Sequence, residues 1–254
     1  MTRILPGFIV FFLTAIILFS CKKESEQFKT EAISDYYPLA KGKFIIYRVD
    51  STVFTNFGKT TEVHKYQVKH AIDTLLTDNL GRPAYRVYRY IRDTSGTQPW
   101  TPLGSYFITP LENQIEVIED NLRIIKLHAP IRDGDDWKGN RYLPNNAYDT
   151  INGYDDGMND WDFFYDGDVL ASQVIQGQTY NNVLTVQEDD EAYNYPVTDT
   201  YQYGLRNFAV EKYSKNIGLV YRENILIEYQ PYHNGIYDPY RIGFGIKMWM
   251  ISHN

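Results

Sequence analysis

The alternation of apolar and polar residues along the chain predicts β-strands. Ten segments rich in Val, Ile, Thr, Tyr and Phe are bounded by turn-forming residues, as half-buried strands are. These segments are Phe44–Phe57, Thr61–Leu76, Ala84–Ile91, Tyr106–Ile108, Gln114–Glu119, Leu122–His128, Val183–Gln187, Tyr201–Tyr213, Leu219–Tyr229 and Ile242–Ile251. Many strands joined by frequent turns predict a mainly β fold with few or no helices. We expect a single antiparallel, strongly curved sheet, a partial barrel or a sandwich.

Two segments leave local questions open. The apolar positions of Leu205–Tyr213 fit a helix as well as a strand, so both alternatives stand. Gly243-Phe244-Gly245 lacks the third glycine and the following helix of a dinucleotide-binding loop. We expect these glycines to let a strand bend or pack closely.

The N-terminal pattern differs from the rest of the chain and predicts a signal peptide over residues 1–20. Met1–Arg3 supplies a short positive region, and Phe8–Phe19 is apolar except at Thr14. The apolar run from Ile4 to Phe19 is 16 residues long, whereas a membrane-spanning helix needs about 20. An uncleaved membrane helix and an ordinary secretory signal are the alternatives.

The segment Leu18-Phe19-Ser20-Cys21 resembles the lipobox of bacterial lipoproteins, although Phe19 departs from the usual small or aliphatic residue. The resemblance implies cleavage before Cys21, which is the only cysteine, and acylation of its thiol. Residues 21–35 are charged at their start and are predicted to be a flexible tether. Residues 36–254 are predicted to form the β domain.

Two further segments resemble uncharacterised lipoproteins of the Bacteroidota. Tyr36–Tyr47 contains Tyr-Pro-Leu-x-x-Gly before an aromatic first strand, and Asn216–Glu223 contains Gly-Leu-Val-Tyr-Arg-Glu. Lys22 replaces the Asp that often follows the acylated Cys in inner-membrane lipoproteins. The resemblance therefore implies a lipid-anchored outer-membrane protein, and it implies no activity. Periplasmic and surface-facing orientations both stay open.

A weak internal similarity joins Pro38–Ile45 and Pro130–Trp137. Each has Pro, an aliphatic residue, Gly four positions after the Pro, and a large apolar residue three positions later. The pattern predicts a loop that turns at Gly and leads to a buried residue at a strand start. Duplication and coincidence are both compatible with it.

Composition and charge narrow the function. The formal net charge of −7 becomes −8 when Arg3 leaves with the signal peptide. Such a surface repels phosphate backbones, so we expect no nucleic-acid partner. With one cysteine, the chain forms no internal disulfide.

Motifs of catalysis and cofactor binding are absent from the sequence. None of the five histidines has a metal-ligand spacing, and no Gly-x-Ser-x-Gly elbow occurs. His64 and His70 share the face of a predicted strand with Glu62 and Tyr66, and this face is expected to be exposed. We predict a protein that is not an enzyme and has no cofactor.

The stretch Asp149–Asp168 is the most unusual part of the chain, with seven Asp among Gly, Asn and aromatic residues. Closely spaced carboxylates can bind Ca²⁺, although no EF-hand spacing occurs, and a solvated acidic loop is the simpler interpretation. The candidate Ca²⁺ ligands are Asp155, Asp156, Asp160 and Asp162. The rings of Trp161, Phe164 and Tyr165 could stack on a sugar, or alternate rings could form the inner face of a strand.

These observations favour a membrane-anchored binding or accessory module. Its partners are the lipid bilayer, through acylated Cys21, and an envelope protein, a lipid or a glycan. The alternative is a structural subunit of an outer-membrane assembly. A glycan-active enzyme is less favoured, because sequence spacing cannot place two carboxylates at a catalytic separation.

Overall fold

A computed structural model describes residues 31–148, 157–232 and 238–254, which fold as one large antiparallel sheet. This confirms the predicted mainly β fold. The thirteen strands are β1 (Phe44–Thr55), β2 (Thr60–Thr77), β3 (Pro83–Asp93), β4 (Thr101–Pro110), β5 (Gln114–Glu119), β6 (Leu122–His128), β7 (Asp136–Trp137), β8 (Phe163–Tyr165), β9 (Leu170–Ile175), β10 (Gln178–Tyr193), β11 (Gly204–Ser214), β12 (Gly218–Gln230) and β13 (Tyr240–His253). Helical structure in the described ranges is limited to α1 (Ile33–Tyr36) and a 3-10 turn (Met158–Asp160). None of the described helices is long and apolar enough to cross a membrane.

The sheet is nearly closed into a barrel. Its strand order is β6-β5-β4-β3-β2-β1-β13-β12-β11-β10-β8-β7, and β9 pairs with β10 beside this path. The two edge strands meet: the amide of Ile125 on β6 donates to the carbonyl of Gly139, just after β7, at 2.9 Å. The indole N–H of Trp137 donates to the carbonyl of Ile125, also at 2.9 Å. These bonds satisfy backbone groups that an open sheet would leave unpaired.

The strand directions define two ends of the barrel. The proximal end carries α1 and the turns at residues 78–82, 111–113, 176–177 and 215–217, and the distal end carries the turns at 56–59, 94–100 and 120–121. Residues 31–43 lie across the proximal end, with Ile33 and Tyr36 buried and Tyr37 packed against Tyr213. Cys21 and the rest of residues 1–30 lie outside the described residues, as does most of the predicted tether.

Tyrosines form much of the barrel core. Tyrosine is also common on exposed sheet surfaces, so its abundance alone does not indicate burial. Tyr47, Tyr106, Tyr180 and Tyr213 are buried. A buried hydroxyl needs a partner: Tyr47 donates to the carbonyl of Leu219 at 3.0 Å, and Tyr180 donates to that of Met250 at 3.1 Å. The apolar ring fills the core while its hydroxyl bonds to the wall.

All ten predicted strands occur, and several are longer than predicted. Leu205–Tyr213 lies in β11, so the helix alternative is wrong; hydrogen bonds to β10 and β12 on both sides hold the segment extended. Gly243 confirms the predicted close approach, because its φ is +95° and a Cβ atom there would lie 1.9 Å from the carbonyl oxygen of Leu226.

The two Pro-x-x-x-Gly segments behave as predicted for loops. Gly42 and Gly134 both have positive φ, +85° and +74°, where glycine is favoured. Each segment leads to an apolar residue of the core: Trp137 is buried, and Ile45 packs against the same cluster. The shared positive φ at the two glycines accounts for the similarity of the two segments.

Candidate functional site

The barrel interior holds a small cavity beneath the proximal end. Its wall is mainly apolar, and its polar side chains include those of Tyr47, His70, Tyr106, Glu119 and Arg222. The cavity volume is about 50 Å³. Ligand pockets are usually about 300–1,000 Å³, so this space is too small for a lipid chain.

His70 is held in this cavity between two tyrosine rings. Its ring centroid lies 5.2 Å from that of Tyr47 and 5.4 Å from that of Tyr106, both in edge contacts. The Nδ1 atom is 3.1 Å from the Tyr106 hydroxyl. Burial, with the nearby charges of Arg222 and Arg89, lowers the pKa of His70 to about 3. The histidine is therefore neutral at physiological pH.

Next to the cavity, four charged side chains form a buried ion network. Lys126 Nζ lies 2.7 Å from Glu188 Oε1 and 3.0 Å from Glu211 Oε1. Arg222 Nε donates to Glu211 at 2.6 Å. Burial acts to raise the pKa of Glu211, but the charges of Arg222 and Lys126 outweigh it and lower that pKa to about 2. Burial raises the pKa of Glu188, and the Lys126 charge opposes this rise.

A larger groove lies beside β8 and β10, and we call it the acidic groove. Phe163 and Tyr165 of β8 are buried, while Phe164 between them is only half-buried, as alternation along a strand requires. The groove volume is about 700 Å³. Its lining residues are Gly157, Asp160, Trp161, Asp162, Phe164, Asp166, Gln187, Asp189, Asp190 and Glu191.

Carboxylates dominate the charge of the acidic groove. Of its six acidic side chains, Asp162 pairs with Lys138 at 2.9 Å and Asp190 pairs with Arg206 at 2.5 Å. The groove lining contains six Asp and Glu side chains and no Lys, Arg or His, so acidic groups predominate in it. The groove is thus unsuited to anions and suited to hydroxyl-bearing or cationic ligands.

The structure places some of the predicted site residues in the acidic groove and others elsewhere. Asp160, Asp162, Trp161 and Phe164 all line the acidic groove. Tyr165 does not: it is buried, and its hydroxyl bonds to the backbone of His128. Its ring faces the core and is not available to a sugar.

For Ca²⁺, the described residues provide only part of the predicted ligand set. Asp155 and Asp156 lie outside the described residues. Within residues 31–148, 157–232 and 238–254, no three His, Cys, Asp or Glu side chains converge as a metal site. In the described structure, Asp160 and Asp162 therefore line the acidic groove and form no metal site.

The predicted exposed face of β2 is confirmed for Glu62 and His64 and is wrong for His70. Glu62 and His64 are exposed, with His64 Nε2 2.9 Å from Glu62 Oε2. The strand is 18 residues long, so one face passes from solvent at the distal end into the barrel interior. Side-chain alternation determines which residues share a face of the strand. It does not determine where along a strand of this length that face is buried.

The second wall of the acidic groove was not predicted from the sequence. Gln187, Asp189, Asp190 and Glu191 all come from β10. The acidic run at residues 188–191 is visible in the sequence, but the pairing of β10 with β8, through Val186 with Tyr165 and Gln187 with Phe164, is what brings it beside β8.

Comparisons with known proteins identify no family for the chain. No protein-family model matches it, and no curated protein matches it in sequence. A solved structure of a DUF1329 family protein from Desulfovibrio piger aligns with 87% of this chain and 88% of its own, at 9% identity and a TM-score of 0.20.

Proposed function

We propose that this chain is a lipid-anchored protein of the bacterial outer membrane that binds a saccharide in the acidic groove. The observation that carries the binding proposal is the position of Trp161 and Phe164 in a groove of ligand size with a carboxylate rim. Aromatic rings pack on the apolar face of a sugar, and carboxylates accept hydrogen bonds from its hydroxyls. The anchor is proposed from the lipobox resemblance at Cys21.

A saccharide fits the groove better than the other predicted ligands. Six carboxylates repel phosphate and carboxylate groups, which disfavours anionic ligands. A lipid chain needs an apolar cavity, and the interior cavity of about 50 Å³ is too small for one. A neutral or amino-substituted sugar matches both the rings and the charge.

Binding is tested with the full-length protein in detergent and a panel of neutral oligosaccharides, followed by tryptophan fluorescence. We expect Trp161→Ala to weaken binding about fivefold to tenfold, because an aromatic contact contributes about 1 kcal/mol. Asp166→Asn, at an exposed groove position, should weaken it without removing a core contact. Trp100→Ala is the matched control, since Trp100 packs under Arg92 away from the groove.

Ionic strength separates two kinds of ligand. Binding of a neutral sugar should change little between low and physiological salt, whereas binding of a cationic peptide should weaken as salt screens the carboxylates. Equal affinities for the wild type, Trp161→Ala and Asp166→Asn across the panel would refute the groove as the binding site.

The anchor has its own test. Globomycin blocks lipoprotein signal cleavage, so treated cells should accumulate the precursor, and Cys21→Ala should leave the protein unacylated. Membrane-bound protein of mature size in both experiments would contradict lipid anchoring.

A further inference from the structure

Strand β9 has one edge that no described residue covers with backbone pairing. One side of Leu170–Ile175 pairs with β10 through Gln178–Val183. On its other side, no described residue forms a backbone hydrogen bond with it. Two apolar side chains on this strand are exposed, Leu170 by 45% and Val174 by 67%.

The turn after β9 determines which backbone groups point outward. Gln176 and Gly177 form a two-residue hairpin turn with φ of +50° and +81°, as a type I′ turn requires. Ile175 and Gln178, which flank this turn, form the hydrogen-bonded pair. Because pairing alternates along an antiparallel ladder, Leu170, Ser172 and Val174 direct their N–H and C=O groups away from β10.

The outward N–H and C=O groups of one β9 strand can pair with the same groups of β9 in a second copy of the chain. A two-fold axis perpendicular to the sheet at Ser172 places two β9 strands antiparallel, with Ser172 opposite Ser172 of the second copy. The same register places Leu170 opposite Val174, so both exposed apolar side chains gain an apolar partner. Asp168 then faces Gln176. In a parallel arrangement Asp168 would face its own copy, and like charges directly opposite are destabilising.

The composition of the strand also favours this pairing. Exposed sheet edges are usually protected by Lys, by Pro or by a covering segment. Leu-Ala-Ser-Gln-Val-Ile contains no charged residue and no Pro, although the chain as a whole carries −7. The edge is therefore a place where two copies of an acidic chain can approach without charge repulsion.

We propose that two copies of this chain dimerise through antiparallel pairing of their β9 strands, centred on Ser172. The interface holds three residue pairs and is smaller than the about 1,000 Å² of a stable complex, so the dimer is transient. It is independent of ligand binding in the acidic groove.

A cysteine placed at the axis tests the register. In the full-length chain, Ser172→Cys puts two thiols on Cα atoms about 5.5 Å apart, which is a distance a disulfide spans. Mild oxidation should then give a product of twice the chain mass. Asp168→Cys is the matched control, because its two copies would lie about 27 Å apart at about 3.4 Å per residue. The unmodified chain controls for Cys21.

Two further measurements complete the test. Co-expressed Leu170→Cys and Val174→Cys chains should cross-link to each other more than either does to itself. Adding Val174→Lys to Ser172→Cys should reduce the product about tenfold, since it places a charge against Leu170. The proposal is overturned if Ser172→Cys gives no dimer, if Asp168→Cys cross-links equally well, or if the product contains a different protein.

Discussion

Inside the barrel, two positively charged side chains are in contact with two negatively charged ones. Lys126, Glu188, Glu211 and Arg222 come from four strands, and their two positive and two negative charges cancel. Each charge loses its hydration on burial, and this loss is compensated only while its partners are present. Removing one member therefore costs more than removing a matched pair.

Lys126→Met should lower the free energy of unfolding by about 3–5 kcal/mol, because it leaves Glu188 buried without its cation. Lys126→Met combined with Glu188→Leu is the charge-balanced control and should recover at least half of this loss. The deficit of the single variant should be smaller at pH 5 than at pH 8, since burial raises the pKa of Glu188 and protonation removes its charge. Urea unfolding at both pH values measures these differences. An equal loss in the single and double variants would contradict a coupled network.

His70 should make the native protein sensitive to acid. Its pKa is about 3 in the barrel because of burial, and that of an unfolded histidine is about 6.5. As pH falls below 6.5 the unfolded chain binds a proton that the native state does not, so stability is lost by about 2 kcal/mol at pH 5.

The His70→Gln variant should lack that part of the acid effect. Between pH 7 and pH 5 it should lose about 2 kcal/mol less stability than the wild type. His64→Gln, on the exposed part of the same strand, is the control and should follow the wild type. If His70→Gln and the wild type lose stability equally in urea titrations, the interior placement of His70 is wrong.

At the scale of the strand, β13 depends on a backbone conformation that only glycine adopts easily. It pairs with β1 on one side and β12 on the other, so it has no free edge on which to relieve strain. Gly243 lies opposite Ile227 with φ of +95°. The absence of a side chain there allows β12 to approach.

We expect Gly243→Ala to be more destabilising than Gly81→Ala. Gly81 also has positive φ, +76°, but an added Cβ meets no atom within 4 Å, so its cost is the conformational one of about 1–2 kcal/mol. At Gly243 the Cβ would overlap the Leu226 carbonyl, which should add about 2 kcal/mol. Comparison of the two melting curves isolates this steric part. Equal shifts in Tm would mean that β12 moves aside at no cost.

At the scale of the whole molecule, closure of the sheet rests on the contact between β6 and the segment of Trp137. The indole ring packs in the core near Phe163 and Tyr165, and its N–H bonds to Ile125. One side chain therefore joins the two edges of the sheet both by packing and by a hydrogen bond.

Trp137→Ala should lower the free energy of unfolding by about 3–5 kcal/mol, whereas Trp137→Phe, which keeps an aromatic ring, should cost about 1–2 kcal/mol. Amide hydrogen exchange at Ile125 reports on closure directly. Its protection should fall in the alanine variant more than in the phenylalanine variant. Unchanged protection in both would show that the edges close without this residue.

The limits of prediction from the sequence have physical causes. Long strands such as β1 and β12 were predicted because apolar and polar residues alternate along them, as core-facing and solvent-facing side chains do in a strand. Strand β9 was missed, whereas β7 was anticipated only as a buried residue at a strand start and β8 only as an alternative for the aromatic run, since two to six residues carry too little pattern. Lys126 interrupts the apolar part of β6, but its partner Glu188 is 62 positions away. Trp161 and Asp160 were candidates from local composition, whereas the opposite wall of the groove required the register of β10.

The pairing of β1 with β13 also determines when the chain can fold. Ile45 is matched with His253, so the first strand remains without one neighbour until the thirteenth has emerged. A polypeptide is made from the N-terminus onward, so until β13 is available β1 and β12 each present an exposed edge able to aggregate. A chaperone that holds the incomplete barrel until β13 is available would protect these two edges.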